Sequence, residues 1–121
     1  MVNYLLVALG GATGAVCRFG LSQQFAGNRT FPLTTLLINI GGSLLIGILF
    51  GLQQQGRLNE KYWALLATGL CGGFTTFSAF SLENMALMHQ HKWMLFALYV
   101  TASVALCLLA VYLGYRLLNN S

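Results

Sequence analysis

The chain has 121 residues, of which 57% are hydrophobic and only 7% are charged, and its formal net charge is +4. Soluble domains usually contain about 25% charged residues, so this composition excludes a water-exposed globular protein. The six basic residues are scattered singly near the ends of apolar runs, which is typical of anchors at a membrane interface and argues against a nucleic-acid partner.

Four apolar runs predict an all-α integral membrane protein with four transmembrane helices in one domain, residues 1–121. A bilayer requires about 20 apolar residues for each span. The first run has no basic start and no small-residue cleavage site, so we expect it to remain as a span. A short polar loop should follow it. The spans are expected at about residues 4–25, 31–52, 62–88 and 93–115, and the loop at residues 26–30.

The first span contains Gly10, Gly14 and Arg18, each four residues after the last and therefore on one helical face. Small residues at this spacing allow two helices to approach closely within a membrane. Arg18 lies inside the span but near its end, and two interpretations are open for it. Its side chain either extends to the lipid headgroups or faces an aqueous vestibule.

The second and fourth spans each carry a stripe of polar side chains at intervals of four residues. Asn39, near the middle of the second span, is costly in lipid unless its amide finds partners. Either a hydrogen bond between helices or a place in the lining of a pore would explain it. The stripes consist of Thr35, Asn39 and Ser43 in the second span and of Tyr99, Ser103 and Cys107 in the fourth.

The third span contains the segment GLCGGFTTFSAFSLE, residues 69–83. Gly72 and Gly73 each lower helix propensity by about 1 kcal/mol relative to alanine, and the hydroxyls of Thr75 and Thr76 can satisfy freed backbone groups. We therefore predict that this helix breaks in the middle of the membrane, where unwound backbone has to be buried in protein or line a cavity. Its carbonyl groups can coordinate a cation, and the amide groups that begin the next half-helix attract an anion.

Phe77 and Phe80 are three residues apart, so their rings should lie on one face of the second half-helix. Ring edges are electropositive and can face a small desolvated anion, although packing in a core is the alternative for any such pair. Glu83 follows one turn later as the acid in the body of a span. It is either an interface residue or a contact at a gate.

The basic residues are balanced between the two sides of the membrane, and such a balance specifies orientation only weakly. A chain that inserts both ways can pair with an inverted copy of itself, so we predict an antiparallel, dual-topology homodimer. With four spans, one side carries Arg57, Lys61 and Arg116, and the other carries Arg29 and Lys92, together with Arg18 if it extends outward.

An enzyme is not predicted. Both histidines, His89 and His91, fall in one terminal loop, the chain has no paired carboxylates, and its three cysteines are widely spaced within apolar runs. Neither a nucleophile with a base nor a metal-binding spacing results from these positions.

Three segments resemble the Fluc (CrcB) family of microbial fluoride channels, and their order and spacing agree with that family over essentially the whole chain. They are GGATGAVCRF at residues 10–19, NIGGSLLIG at residues 39–47 and GLCGGFTTFSAF at residues 69–80. The resemblance implies a passive, fluoride-selective channel that exports cytoplasmic fluoride and relieves its toxicity. It also implies an antiparallel homodimer with two pores in the bacterial inner (plasma) membrane, with fluoride, the lipid bilayer and the second copy as partners.

The resemblance also implies roles for individual residues. The fluoride pathway would be lined by Phe77 and Phe80, with donors from Asn39, Thr76, Ser78, Tyr99 and Ser103. Arg18 would belong to a vestibule, and Glu83 would be the acid after the aromatic pair. The cofactor would be a structural sodium ion at the two-fold axis, held by the backbone carbonyls of Gly72 and Thr75 from each copy.

Two positions depart from the family pattern, because Ala79 stands where threonine is common and Cys107 where serine is expected. Two other functions also suit a small four-span protein. A dual-topology, proton-coupled multidrug exporter needs a carboxylate within the membrane; the first span has none, and Glu83 lies near the end of the third. A structural subunit of a larger membrane complex would show no transport when purified alone.

Overall fold

The computed structural model describes residues 1–25 and 31–119, so the predicted loop at residues 26–30 lies outside the described residues. Four helical stretches are long and apolar enough to cross a membrane, and each begins and ends within a few residues of its predicted bounds. The prediction of an all-α chain with four such stretches is confirmed. The helices are α1 (Val2–Gln24), α2 (Leu33–Gln54), α3 (residues 60–74), α4 (Phe77–His89) and α5 (Trp93–Leu118).

Helix α3 changes its geometry along its length. It begins as an α-helix at Glu60–Tyr62, continues as a π-helix at Trp63–Cys71 and returns to α-helical geometry at Gly72–Phe74. Asn59 caps its start, because the side-chain oxygen accepts a hydrogen bond from Tyr62 N at 2.9 Å. π-helical turns are rare and occur frequently at functional sites. Here a single α-helical turn, Gly72–Phe74, separates them from the point where the helix ends.

The chain leaves helical geometry at two threonines between α3 and α4. Thr75 has φ −85° and ψ 155°, and Thr76 has φ −149° and ψ 123°, so both residues are extended. Thr76 then caps α4, since its Oγ1 accepts a hydrogen bond from Ala79 N at 3.1 Å. β-Branched residues favour extended backbone and threonine favours helix N-caps. A break therefore exists in the predicted segment, while its depth in a membrane stays a prediction.

The two glycines that were predicted to open the helix are themselves helical. Gly72 has φ −61° and ψ −38°, and both glycines lie in the final α-helical turn of α3. A side chain on Gly73 would collide with the backbone of Gly11 on α1. Gly73 therefore serves the close approach of two helices, and the attribution of the break to glycine is wrong.

Glycines also join α1 to α3 along the face predicted from the sequence. Gly10 and Gly14 are both buried. A Cβ on Gly10 would collide with the carbonyl oxygen of Leu65, and a Cβ on Gly14 would collide with that of Leu70. The prediction that this stripe allows close helix packing is confirmed.

Replacing Gly14 by alanine should destabilise the protein, whereas replacing Gly20 by alanine should not. A Cβ at Gly14 has no room, and overpacking typically costs about 1–3 kcal/mol. A Cβ at Gly20 meets no atom of the described residues within 4 Å, so alanine there should add up to about 1 kcal/mol through helix propensity. Thermal unfolding of the purified proteins in detergent would measure both changes, and equal shifts would contradict the packing described here.

Helices α2 and α5 pack against each other in the same way. A Cβ on Gly47 would collide with Val111, and a Cβ on Gly114 would collide with Leu44. Helix α4 completes this group, because Leu87 packs in one apolar cluster with Leu36 of α2 and Tyr99 of α5. The polar stripes of α2 and α5 are thereby held beside the break.

Candidate functional site

A cavity of about 420 Å³ lies between α2, α5 and the junction of α3 with α4. Its lining brings together residues that the sequence placed on three separate helices and in the break. Among the predicted site residues, the cavity is lined by Asn39, Gly72, Thr75, Thr76, Phe77, Phe80 and Ser103.

Asn39 binds the backbone of the break through both ends of its amide. Its Nδ2 donates to Thr76 O at 3.2 Å, and its Oδ1 accepts from Thr76 N at 2.9 Å. The amide therefore satisfies two backbone groups that a continuous helix would otherwise pair. Asn39 thus bonds from α2 to the break and also lines the cavity, while its place in the lining of a pore stays a prediction. Its Nδ2 has a second N–H, which makes no further hydrogen bond within the described residues.

The two phenylalanine rings lie side by side as predicted. The centroids of Phe77 and Phe80 are 5.4 Å apart at an interplanar angle of 42°, and the row continues from Phe80 to Tyr99 at 5.0 Å. Phe77 is 77% exposed, whereas Tyr99 is fully buried. Packing in the core thus accounts for the positions of the Tyr99 and Phe80 rings. It does not account for the exposed ring of Phe77.

Ser103 lines the cavity, but its hydroxyl oxygen is buried. It is 8% exposed, and among the described residues its Oγ has no hydrogen-bond partner. A buried polar group without a partner costs about 1–3 kcal/mol. Thr76 and Ser78 differ, because their hydroxyl oxygens lie 3.2 Å apart and share a hydrogen bond.

Glu83 is held by two hydroxyls from neighbouring helices. Thr35 Oγ1 donates to Glu83 Oε2 at 2.8 Å, and Tyr99 Oη donates to Glu83 Oε1 at 2.9 Å. Both donor residues are buried. The carboxyl group is therefore tied to α2 and α5 inside the helix group, and the part of the prediction that makes it a gate contact stays a prediction.

Replacing Thr35 by valine should destabilise the protein by about 1.5–3 kcal/mol, because it removes a hydrogen bond to a charged group at nearly constant volume. Thr34→Val is the matched control. Thr34 is half-buried and lines a separate crevice beside Leu21 and Leu37. Thermal unfolding in detergent should show a loss for Thr35→Val and almost none for Thr34→Val. A loss of equal size in both would mean that the bond to Glu83 contributes nothing.

Arg18 ties α1 to the last turn before the break. Its Nε donates to Gly73 O at 3.1 Å, in a partly buried contact. A guanidinium group has five N–H donors, so this bond leaves donors for other acceptors. The structure thus adds an anchoring contact to the two interpretations left open for Arg18, and its place in a vestibule stays a prediction.

The carbonyl groups of Gly72 and Thr75 both lose the partners that a continuous helix would give them. Thr76 N would bind Gly72 O but donates to Asn39 instead, and Ala79 N would bind Thr75 O but donates to Thr76 Oγ1. Backbone oxygens freed in this way suit a hard cation such as sodium. Within residues 1–25 and 31–119, no cluster of three or more His, Cys, Asp or Glu side chains could hold a metal. Backbone oxygens of this kind are compatible with a sodium ion, and the sodium site itself stays a prediction.

Four predicted site residues do not line the cavity, namely Arg18, Ser78, Glu83 and Tyr99. Arg18 contacts Gly73, Ser78 contacts Thr76 and Tyr99 contacts Phe80. Glu83 is one step further away, because its partners are Thr35 and Tyr99. Sequence reasoning missed the pairing of Thr35 with Glu83 and the cavity residue Gly42. The stripe that linked Thr35 to Asn39 was a signal for the first, but Gly42 carried none beyond its place one turn after Asn39.

Comparisons with known proteins agree over nearly the full length of the chain. Residues 5–115 match the family model described as "CrcB-like protein, Camphor Resistance (CrcB)". The chain is 45% identical to the fluoride-specific ion channel FluC of Shewanella oneidensis, over 97% of this chain and 96% of that protein. It is 46% identical to the fluoride-specific ion channel FluC of Paramagnetospirillum magneticum, over 95% of this chain and 94% of that protein.

A third relative, the fluoride-specific ion channel FluC 2 of Rhodococcus jostii, is 44% identical over 96% of this chain and 98% of its own length. With four helical stretches of spanning length, the chain is a multi-pass membrane protein. It belongs to the CrcB-like family.

Proposed function

We propose that this chain forms a passive, fluoride-selective channel through which cytoplasmic fluoride leaves the cell, relieving its toxicity. The observation that carries the proposal is the full-length similarity, at 44–46% identity, to proteins named fluoride-specific ion channels. These relatives are bacterial, so we place the channel in the bacterial inner membrane. Its activity is then transport and not catalysis.

The chemistry of the cavity suits a small, strongly hydrated anion. A path for fluoride has to replace the water it loses with donors, and each site must bind weakly enough for the ion to leave. Asn39 has one amide N–H left, Ser103 has a hydroxyl with no partner among the described residues, and Phe77 and Phe80 offer ring edges. These groups are neutral, so they can contact fluoride without holding it as a buried lysine or arginine would.

The remaining site residues would act around this path. Arg18 keeps guanidinium donors that can attract fluoride at a vestibule. Thr76 and Ser78 share one hydrogen bond and so retain one hydroxyl hydrogen between them. Tyr99 donates to Glu83, and its hydroxyl would have to exchange that carboxylate for fluoride. Glu83 would thus control when this donor is available.

The site is proposed to be completed by an inverted second copy. Phe77 is 77% exposed, and Gly72 and Thr68 of the cavity lining are exposed as well. An aromatic ring beside freed carbonyl groups is poorly suited to lipid, because lipid offers no partners to backbone polar groups. An antiparallel homodimer would cover this face and place the break at mid-membrane depth. Two copies would form two equivalent pores.

Sodium would bind between the two copies, at the carbonyl groups of Gly72 and Thr75. Each copy would contribute two carbonyl oxygens, because the N–H groups that would bind them in a continuous helix bind side chains instead. A dimer related by a two-fold axis would therefore contribute four oxygens. When bound, sodium supplies a fixed positive charge near both pores. That charge favours anions without standing in their path.

Fluoride and chloride efflux from liposomes that contain only this protein tests the proposal. We expect rapid fluoride loss, little chloride loss and no requirement for a proton gradient. Flux that depends on a proton gradient would favour the multidrug exporter instead. The absence of any flux from folded protein would favour a structural subunit.

A further inference from the structure

Helix α2 holds both extended residues of the break, and it uses two positions one turn apart to do so. Asn39 binds the backbone of Thr76. Gly42 lies three residues later on the same face, is buried, and faces the side chain of Thr75. The first position supplies hydrogen bonds, and the second supplies room.

The room at Gly42 is occupied by the methyl group of Thr75. A Cβ on Gly42 would overlap with Thr75 Cγ2 and would lie 3.6 Å from Thr75 Cβ. Its neighbour Gly41 is exposed, and a Cβ there meets no atom of the described residues within 4 Å. The steric demand for glycine is therefore specific to position 42.

The side chain of Thr75 cannot simply rotate out of the way. Its Oγ1 donates to Cys71 O at 2.8 Å, and its backbone N donates to the same oxygen at 3.0 Å. A change of rotamer would break the first bond. A shift of the backbone would strain the second bond and the two hydrogen bonds between Asn39 and Thr76. A shift of the backbone moves the carbonyl group of Thr75 directly, and a change of rotamer removes a hydrogen bond that holds this residue, and with it the carbonyl group, in place.

We propose that Gly42 is a positioning residue that fixes where the Thr75 carbonyl is presented, and that it thereby sets the sodium affinity of the break. The proposal rests on the proposed sodium site. Gly42 itself has no side chain and would not contact the ion. It acts through Thr75, whose methyl group fits into the space that the glycine leaves.

Sodium titrations of purified full-length protein in detergent test this proposal. Thermal stability is measured as sodium chloride replaces choline chloride at constant ionic strength. Gly42→Ala should raise the sodium concentration for half-maximal stabilisation about tenfold, the change expected from losing one buried hydrogen bond. Gly41→Ala should shift it by less than about twofold, because exposed positions rarely contribute. An unchanged midpoint in Gly42→Ala would overturn the proposal.

A double-mutant cycle identifies Thr75 as the residue through which Gly42 acts. Thr75→Ser removes Cγ2 but keeps the hydroxyl that binds Cys71 O. Within the Thr75→Ser background, Gly42→Ala should therefore shift the midpoint by less than about threefold, since the clash is absent. A tenfold shift that persists in this background would contradict the mechanism.

Two further outcomes are also decisive. If Gly42→Ala yields no folded protein, adding Thr75→Ser should restore folding while adding Thr75→Val should not, because valine keeps the branch and loses the hydroxyl. Failure of serine to restore folding would overturn the proposal. If the unaltered protein gains no stability from sodium, the proposed sodium site is refuted and the proposal about Gly42 is refuted with it, whereas the proposed channel is tested separately by fluoride efflux of the unaltered protein.

Discussion

Replacing Phe77 by isoleucine is expected to lower fluoride efflux by about 100-fold, equivalent to about 3 kcal/mol on the barrier. Isoleucine is apolar and of similar size, but it has no electropositive ring edge to face an anion. Because Phe77 is 77% exposed in the single chain, the substitution should leave the folded chain intact. Liposome efflux measures the effect, and size-exclusion chromatography checks that the assembly survives.

Phe80→Ile should have a similar effect on efflux, and Phe50→Ile provides the control. Phe50 is 42% exposed and lies near the end of α2, with its ring 5.6 Å from that of Tyr115. It does not line the cavity. Efflux close to normal in both Phe77→Ile and Phe80→Ile would refute an aromatic-lined path. Equal losses in Phe50→Ile would point to a general effect of removing an aromatic ring.

Replacing Asn39 by leucine should both destabilise the protein and abolish fluoride efflux. It leaves Thr76 N and Thr76 O without partners, and each unsatisfied buried group costs about 1–3 kcal/mol. Asn39→Asp should be intermediate in stability, because a carboxylate can still accept from Thr76 N but cannot donate to Thr76 O. Thermal unfolding and efflux of the same preparations would measure the two effects.

Asn84→Leu is the matched control for Asn39→Leu. Asn84 is also buried, and its Nδ2 donates at 3.0 Å to Phe80 O within its own helix. In the part of the chain that the structure describes, Asn84 Oδ1 has no hydrogen-bond partner. Removing that unpaired oxygen should be close to neutral or stabilising. If Asn84→Leu lost as much stability as Asn39→Leu, the two hydrogen bonds between Asn39 and Thr76 would have no special role.

Features that depend on local periodicity were predictable from the sequence. Apolar run lengths gave the four helical stretches, and the spacing of Phe77 and Phe80 gave adjacent rings. The four-residue interval between Gly10 and Gly14 gave the face on which α1 packs. Each inference needs only helical geometry and the length required to cross a bilayer.

Features that depend on contacts between distant parts of the chain were not predictable in the same way. Thr35 and Glu83 are 48 positions apart, and their hydrogen bond follows from how α2 and α4 pack. The helix unwinds at Thr75 and Thr76 and not at Gly73. Gly73 is instead used for the close approach of α3 to Gly11 on α1. Propensity alone favours glycine as the breaker, and the tertiary contact reverses that preference.

The amide of Asn39 makes its two hydrogen bonds to the main chain of Thr76 and none to its side chain. Every residue except proline offers the same N–H and C=O groups. These two bonds therefore place no demand on the side chain at position 76, whereas they require a carboxamide of the right length at position 39. In a directed-evolution experiment that selects for folded protein alone, position 76 should accept other residues that can cap a helix, and position 39 should not vary.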